Sequence, residues 1–254
     1  FTDAFVQWMK TIATLSDVIA LDGKTIRHSH DTALGKSAIH MVSAWSAHNR
    51  LILGQMKVDD KSNEITALPR LLQLLDVKGC LVTIDAMGCQ TGIAQQIVEQ
   101  DGDYLLAVKK NQECLFEDID HLFKHSNAEN FKAEGFDEHR TVGKEHGRLE
   151  IRHCQVISAP DWLDHLRHRR DWKKLHSIVR LCAERQMGGK TSQECRYYIC
   201  SRDAPASELL EAVRAHWGIE NNVHWVLDVV FDEDASRSRV GHAQQNLVAM
   251  RRLA

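Results

Sequence analysis

Three carboxylates in this chain sit at positions where apolar patterning leaves them no obvious structural task. Asp22 closes the short apolar run Asp17 to Asp22 and is followed by Gly23. Asp85 closes a second run, Cys80 to Asp85, bracketed by Gly79 and Gly88. Glu220 falls on the stripe Leu210, Val213, Trp217, Glu220 and His224, whose 3–4 spacing sets all five on one side of a helix. An Asp at a strand end often only opens a turn. A Glu on an apolar stripe is costly unless it meets a cation or donors, and His224 or Arg214 would be that partner. Asp228, about 80° further round the helix, is a weaker rival for the role of Glu220. Three converging carboxylates repel one another and call for a hard cation. Mg²⁺ takes oxygen ligands and keeps positions open for phosphate oxygens. Two such ions about 4 Å apart activate a nucleophile and stabilise a leaving oxygen in an in-line displacement. Phosphodiester chemistry fits this donor set better than chemistry on neutral small molecules.

The elements that must position these groups can be read from periodicity. Asp17 to Asp22, Ser37 to Trp45 and Leu51 to Val58 are strand-like, the last two joined by the turn Ser46 to Arg50. Ile65 to Leu75 is helical, with leucines at 68, 71, 72 and 75. Cys80 to Asp85 and Asp103 to Val108 are strands, and Thr91 to Gln100 and Asn111 to His125 are helices. The order β-β-β-α-β-α-β-α predicts an α/β fold with a mixed sheet, a hairpin side and a parallel crossover side. A carboxylate at the C-terminal end of a central strand lies where such sheets place ligands. Residues 127–138 read as polar loop. Leu149 to Ile157, Leu175 to Cys182 and Glu194 to Cys200 read as strands, with Gly188-Gly189 in a turn. This predicts a β-rich insertion. Ser207 to Val229 returns to helix, with a break at Gly218. The expected divisions are 1–125 and 201–254 for the core and 126–200 for the insertion.

The 254 residues are 43% hydrophobic and 26% charged, ordinary globular values, with formal net charge −3. That balance argues against holding nucleic acid by overall charge, so such a function must rest on local patches. No run approaches the 18 or so apolar residues of a membrane span. No secretory signal pattern opens the chain, which carries Asp3. Seven cysteines, with no C-x-x-C pair, argue against a disulfide scaffold and a cysteine zinc site and favour a reducing cytosol. Gly23-Lys24-Thr25 and Gly189-Lys190-Thr191 resemble the end of a P-loop, but Val18 and Glu184 occupy the required glycine position. His28-Ser29-His30 has no third ligand at zinc spacing. Starting at Phe1, the chain also reads as a fragment of something longer.

D-G-K-T at Asp22, V-T-I-D-A at Asp85 and H-W-G-I-E-N-N-V-H-W around Glu220 together resemble the DDE transposases of bacterial insertion sequences. The nearest likeness is to the H-repeat-associated proteins. It extends to D-K-S-N-E-I-T-A (Asp60 to Ala67), A-V-K-K-N-Q (Ala107 to Gln112), H-G-R-L-E-I-R (His146 to Arg152) and L-D-V-V-F-D-E-D-A-S-R (Leu227 to Arg237). The resemblance implies an RNase H-like core with its β-rich insertion before the last catalytic helix. It implies Asp22, Asp85 and Glu220 as the catalytic, metal-binding triad, with Mg²⁺ as cofactor or Mn²⁺ in its place. It implies double-stranded DNA, both element ends and target, as partner, a homodimer in a synaptic complex, and a bacterial cytoplasmic protein associated with the nucleoid. Related transposases often carry Tyr, Arg and Lys around this glutamate. Here Val213, His216 and Leu227 stand in those places, and Lys110 stands where glycine is expected.

Lys24, Lys109, Arg148, His216 and His224 are the residues expected to face DNA. Arg140, Lys144, Arg148 and Arg152 form one basic patch, diluted by Glu138, Glu145 and Glu150. Arg237, Arg239, Arg251 and Arg252 form another. Trp217 and Trp225 share stripes with apolar neighbours and are expected in the core, stacking on a flipped base being the alternative. A DNA-binding remnant without catalysis, and another RNase H-like nuclease, are the competing readings.

Overall fold

The computed structural model describes residues 9, 18–30, 37–59, 62–127, 130–145, 148–238 and 243–252. Asp17, Asp60, Lys61, His146, Gly147 and Arg239, which belong to the runs above, lie outside the described residues. The chain opens with a meander: β1 (Val18–Thr25), β2 (His40–Ser46) and β3 (Leu51–Lys57), each antiparallel to the last. Helix α1 (Glu64–Leu74) follows, burying Leu68, Leu71 and Leu72. Strand β4 (Leu81–Ile84) then runs parallel to β1, and β5 (Asp103–Val108) parallel to β4. Helix α2 (Thr91–Glu99) links those two strands, and α3 (Glu113–His125) follows β5. The predicted element order up to residue 125 is the observed one.

The second half differs from expectation in three ways. First, β6 (Phe136–Glu145) begins inside the stretch expected to be loop and pairs along its length with β7 (Arg148–Ile157). Phe136 and Val142 are its only large apolar residues, so the ladder comes from its partner and hydrophobic patterning gives no sign of it. Second, the β-rich segment continues the main sheet. Strands β8 (Ser177–Met187) and β9 (Lys190–Cys200) form a hairpin, and β9 pairs antiparallel with β5. One nine-stranded mixed sheet results, in the order β3-β2-β1-β4-β5-β9-β8-β7-β6. Third, Cys182 and Cys195 form a disulfide. They are register partners across the β8–β9 hairpin, whose turn at Gly188-Gly189 has both glycines at positive φ. Pairing at a distance brings together two cysteines that no local motif relates. The short helix α4 (Pro160–Leu163) lies between β7 and β8.

Helices cover both faces. Ile93 and Ile97 of α2 and Leu115 and Ile119 of α3 share a core with α1 and with Ile19 and Leu21 of β1. On the other face Leu209, Leu210 and Val213 of α5 (Ala206–Ile219) pack on Leu81, Leu105 and Val179. The predicted late helix is interrupted, but by a π-helical turn over Glu220–His224 rather than at Gly218. Helix α6 (Trp225–Val229) continues from it, and α7 (Ala243–Arg251) closes the described chain. Leu209 is fully buried. Replacing it with Ala should destabilise the fold by about 2–5 kcal/mol in urea titration, since the sheet beneath α5 cannot collapse into the space. A loss under about 1 kcal/mol would show that α5 is not a core element.

Candidate active site

The pairing of β1 with β4 sets the geometry of the site. The last parallel rung joins Leu21 to Ile84, so Asp22 and Asp85 come one residue later on adjacent strands. Neighbouring strands run about 4.8 Å apart, and side chains alternate between faces. Asp22 therefore points to the α5 face, opposite to Leu21. There His224 Nδ1, on the π-helical turn, lies 3.5 Å from its Oδ2. Asp85 also begins a short helical turn and accepts from the backbone N–H groups of Met87 (3.0 Å) and Gly88 (3.4 Å). The turn-capping role weighed for it is thus fulfilled.

Asp22, Asp85 and Glu220 line one cavity of about 180 Å³ with Thr83, Lys109, Arg196, His216 and Trp217. Burial pushes the Asp22 carboxyl up to about 7, and the charges of Asp85, Glu64 and Glu220 push the same way against a backbone hydrogen bond from Gly23. Burial also raises Asp85, followed by the charge of Glu64, with Gly88, Met87 and Lys109 opposing. Asp22 thus feels the charge of both other cavity carboxylates. Oxygen donors of this kind suit a hard divalent cation, which would relieve the repulsion. Among the described residues, though, no three His, Cys, Asp or Glu side chains lie close enough together to hold a metal ion. The donor chemistry fits a cation, and the ligand shell is open.

A second cavity, of about 530 Å³, shares Arg196, Val213, Trp217 and Glu220 with the first. It is lined by Arg148, Arg152, Arg185, Arg196 and Arg214 against Glu150, Glu194 and Glu220. Buried Glu150 gathers three of these guanidiniums: Arg152 at 2.7 Å, Arg185 at 3.1 Å and Arg148 at 3.3 Å. Strands β7, β8 and β9 supply four of the five arginines, so the groove exists only because these strands join the main sheet.

The residues expected to face DNA divide. Lys109 lines the carboxylate cavity and Arg148 the basic groove. His216 also reaches the cavity, where it hydrogen-bonds Thr83 Oγ1 at 3.0 Å. His224 turns inward, and its buried Nε2 has no hydrogen-bond partner among the described residues. Lys24 faces neither phosphate nor solvent: it is buried, with Asp228 at 2.6 Å and Asp234 at 3.5 Å. Asp228 is thereby committed to Lys24 rather than to the site. Trp217 and Trp225, expected in the core, are 41% and 58% exposed. Trp217 lies at the end of α5 and Trp225 beyond the π-helical turn, and Arg196 covers the Trp217 ring at 4.4 Å.

Residues 13–254 match the family model described as Transposase DDE domain. The chain belongs to the transposase DDE domain family. It is 44% identical over 260 residues to the "Putative transposase YncI" of Escherichia coli O157:H7, covering all of this chain and 65% of that protein. It is 41% identical over 260 residues to the "H repeat-associated putative transposase YhhI" of Escherichia coli strain K12, again over all of this chain and 68% of the relative. This DDE-domain chain thus spans about two thirds of the length of these relatives. Among its described residues no helix is long and apolar enough to cross a membrane.

Burial holds His216 at about 4, below its ordinary 6.5, so the folded protein keeps it neutral. Between those values the unfolded chain binds the extra proton, and His216 costs stability as pH falls from 6.5 toward 4. His216→Gln keeps a partner for Thr83 and removes this proton. Urea unfolding at about pH 7 and about pH 5 should show the variant gaining on the native protein at the lower pH. Asp22 titrates in both proteins and cancels in the comparison. An unchanged difference would mean that His216 titrates as if exposed.

Proposed function

We propose that this chain is the catalytic core of a DNA transposase, cleaving phosphodiester bonds and transferring strands at the ends of an insertion sequence. The carrying observation is the register of β1 against β4, which sets Asp22 beside Asp85, with Glu220 lining the same cavity and a groove rich in arginine adjoining it. In this reading the strand order β3-β2-β1-β4-β5 is an RNase H-like core in two parts, 1–125 and 201–254, with residues 126–200 inserted.

Asp22 and Asp85 would hold divalent cations from the strand ends, with Glu220 closing the site from the helix. Mg²⁺, or Mn²⁺ in its place, would supply charge neutralisation and a lowered pKa for bound water. The protein's own part is to orient and exclude. Asp85 is fixed by two backbone N–H groups, and Asp22 is half-buried beside His224. Arg148, Arg152, Arg185 and Arg214 would hold the DNA backbone along the groove, positioning without reading sequence. Lys109 in the carboxylate cavity and Arg196, which lines both cavities, could present cations to the scissile phosphate. Water attack would free a 3′-OH, which then attacks target DNA at the same site. No covalent link between protein and DNA is required.

The open ligand shell favours one competing reading, a DNA-binding remnant without catalysis. Two measurements separate them. Mn²⁺ should raise the melting temperature of the native chain, and Asp22→Asn should remove that increase while leaving the far-ultraviolet dichroism intact. In Mn²⁺ the native chain should nick supercoiled plasmid, and Asp22→Asn and Asp85→Asn should bind DNA without nicking it. Equal nicking by Asp22→Asn would sink the assignment. DNA binding with no nicking by the native chain would establish the remnant.

A further inference from the structure

The arginines of the groove come from several strands, and pleating decides which of them meet. Arg148, Glu150 and Arg152 alternate along β7, so all three stand on the groove face. Register carries that face across the sheet: Glu150 is paired with Arg185 of β8 on one side and with Gly143 of β6 on the other. The Glu150 side chain is 7% exposed, whereas those of Arg148 and Arg185 are 46% and 53% exposed. The acid thus lies in the floor of the groove, and the two arginines rise from it to solvent. A Cβ at Gly143 would meet nothing within 4 Å, so the β6 side of Glu150 is open.

We propose that Glu150 competes with DNA phosphate for Arg148 and Arg185, and so sets how tightly the groove holds the backbone. This rests on the reading of the groove as a DNA-backbone site. A carboxylate and a phosphate offer a guanidinium the same kind of charged oxygen pair, and an arginine fork can hold either. Glu150 already engages Arg148 at 3.3 Å and Arg185 at 3.1 Å. Arg152, less exposed than either, lies 2.7 Å from it and keeps the carboxylate in place. Each contact that a phosphate makes with Arg148 or Arg185 is then made against the attraction of Glu150, and the same fixed charge repels the phosphate itself. The carboxylate need not move. Two arginines on exposed stems turn from one acceptor to the other. Removing the charge should therefore tighten DNA binding, whereas loss of a merely structural ion pair would weaken it or leave it unchanged.

The test is binding of the whole chain to a fluorescent double-stranded oligonucleotide over a series of salt concentrations, without divalent cation. Glu150→Gln keeps the size and removes only the charge. It should tighten binding at least about fivefold at about 0.1 M salt, and steepen the fall of log affinity with log salt by about one. Glu184→Gln makes the same change of charge on the opposite face of β8 and should stay within about twofold of the native chain. Gly143→Lys leaves Glu150 and every arginine in place and gives the carboxylate a cation from its open side. It should also tighten binding, while Val142→Lys, on the other face of β6, should not. This pair carries the test if Glu150→Gln does not fold. Arg148→Gln separates the inference from the reading beneath it. If Arg148→Gln weakens binding while Glu150→Gln and Gly143→Lys weaken it too or stay within about twofold, the groove holds DNA and Glu150 does not compete for its arginines. If the native chain binds no DNA, or Arg148→Gln and Arg185→Gln leave binding unchanged, the inference falls together with the groove reading.

Discussion

The parallel pairing of β1 with β4 is the constraint on which the rest of the site depends. It joins strands separated by the whole β2–β3–α1 excursion and fixes their register at four rungs, from Val18↔Leu81 to Leu21↔Ile84. A slip of one residue would turn every side chain of β1 to the opposite face, placing Asp22 in the core beneath α1. The apolar residues prevent this. Ile19 and Leu21 belong to the core shared with α1 and α2, so the alternation leaves Asp22 facing α5. Burial of a few aliphatic side chains thus enforces an arrangement that electrostatics alone would resist. Two carboxylates are held on adjacent strands, with both carboxyls raised above their ordinary range.

The outer half of the sheet supplies the opposite charge. Because β9 pairs with β5, the hairpin arginines project next to the carboxylate cavity, and Arg196 borders both regions. Glu150 resolves the crowding of cations. Alone among Arg148, Arg152 and Arg185 it offsets part of their charge, and its own carboxyl is lowered by them once burial is overcome. A net charge of −3 therefore averages over an acidic pocket and a basic groove that share a wall. Overall charge says little about what such a surface attracts, because fields are set by local separation.

Much of this was readable in the sequence where the signal was local. Asp103 to Val108 reads as a strand with the observed ends, and leucine spacing marks α1. Asp22 and Asp85 stood out because each ended an apolar run. Features that could not be read depended on pairing at a distance. β6 carries only Phe136 and Val142 as large apolar residues and becomes a strand only against β7. Cys182 and Cys195 are equidistant from Gly188-Gly189, a symmetry visible in the sequence once both flanking segments are known to be strands. Lys24 reads as a DNA-facing residue until the acidic segment 228–234 is seen to close over it.

The π-helical turn links the two ends of the chain's chemistry. One wider turn at Glu220–His224 shifts the azimuth of the helix beyond it, a device often found at functional sites. Before it, Val213 is buried on the stripe. At it, Trp217 and Glu220 leave the core for the cavity, and His224 comes round to Asp22. Such a turn keeps its place only if both flanks are anchored. Upstream the anchor is α5 on the sheet. Downstream it is Lys24, which meets Asp228, Glu233 and Asp234, with the fully buried Glu233–Arg252 pair at 2.8 Å tying in α7. Lys24 is two residues from Asp22 on the same strand. The helix that carries Glu220 is therefore fastened to the strand that carries Asp22, so movement of one carries the other with it.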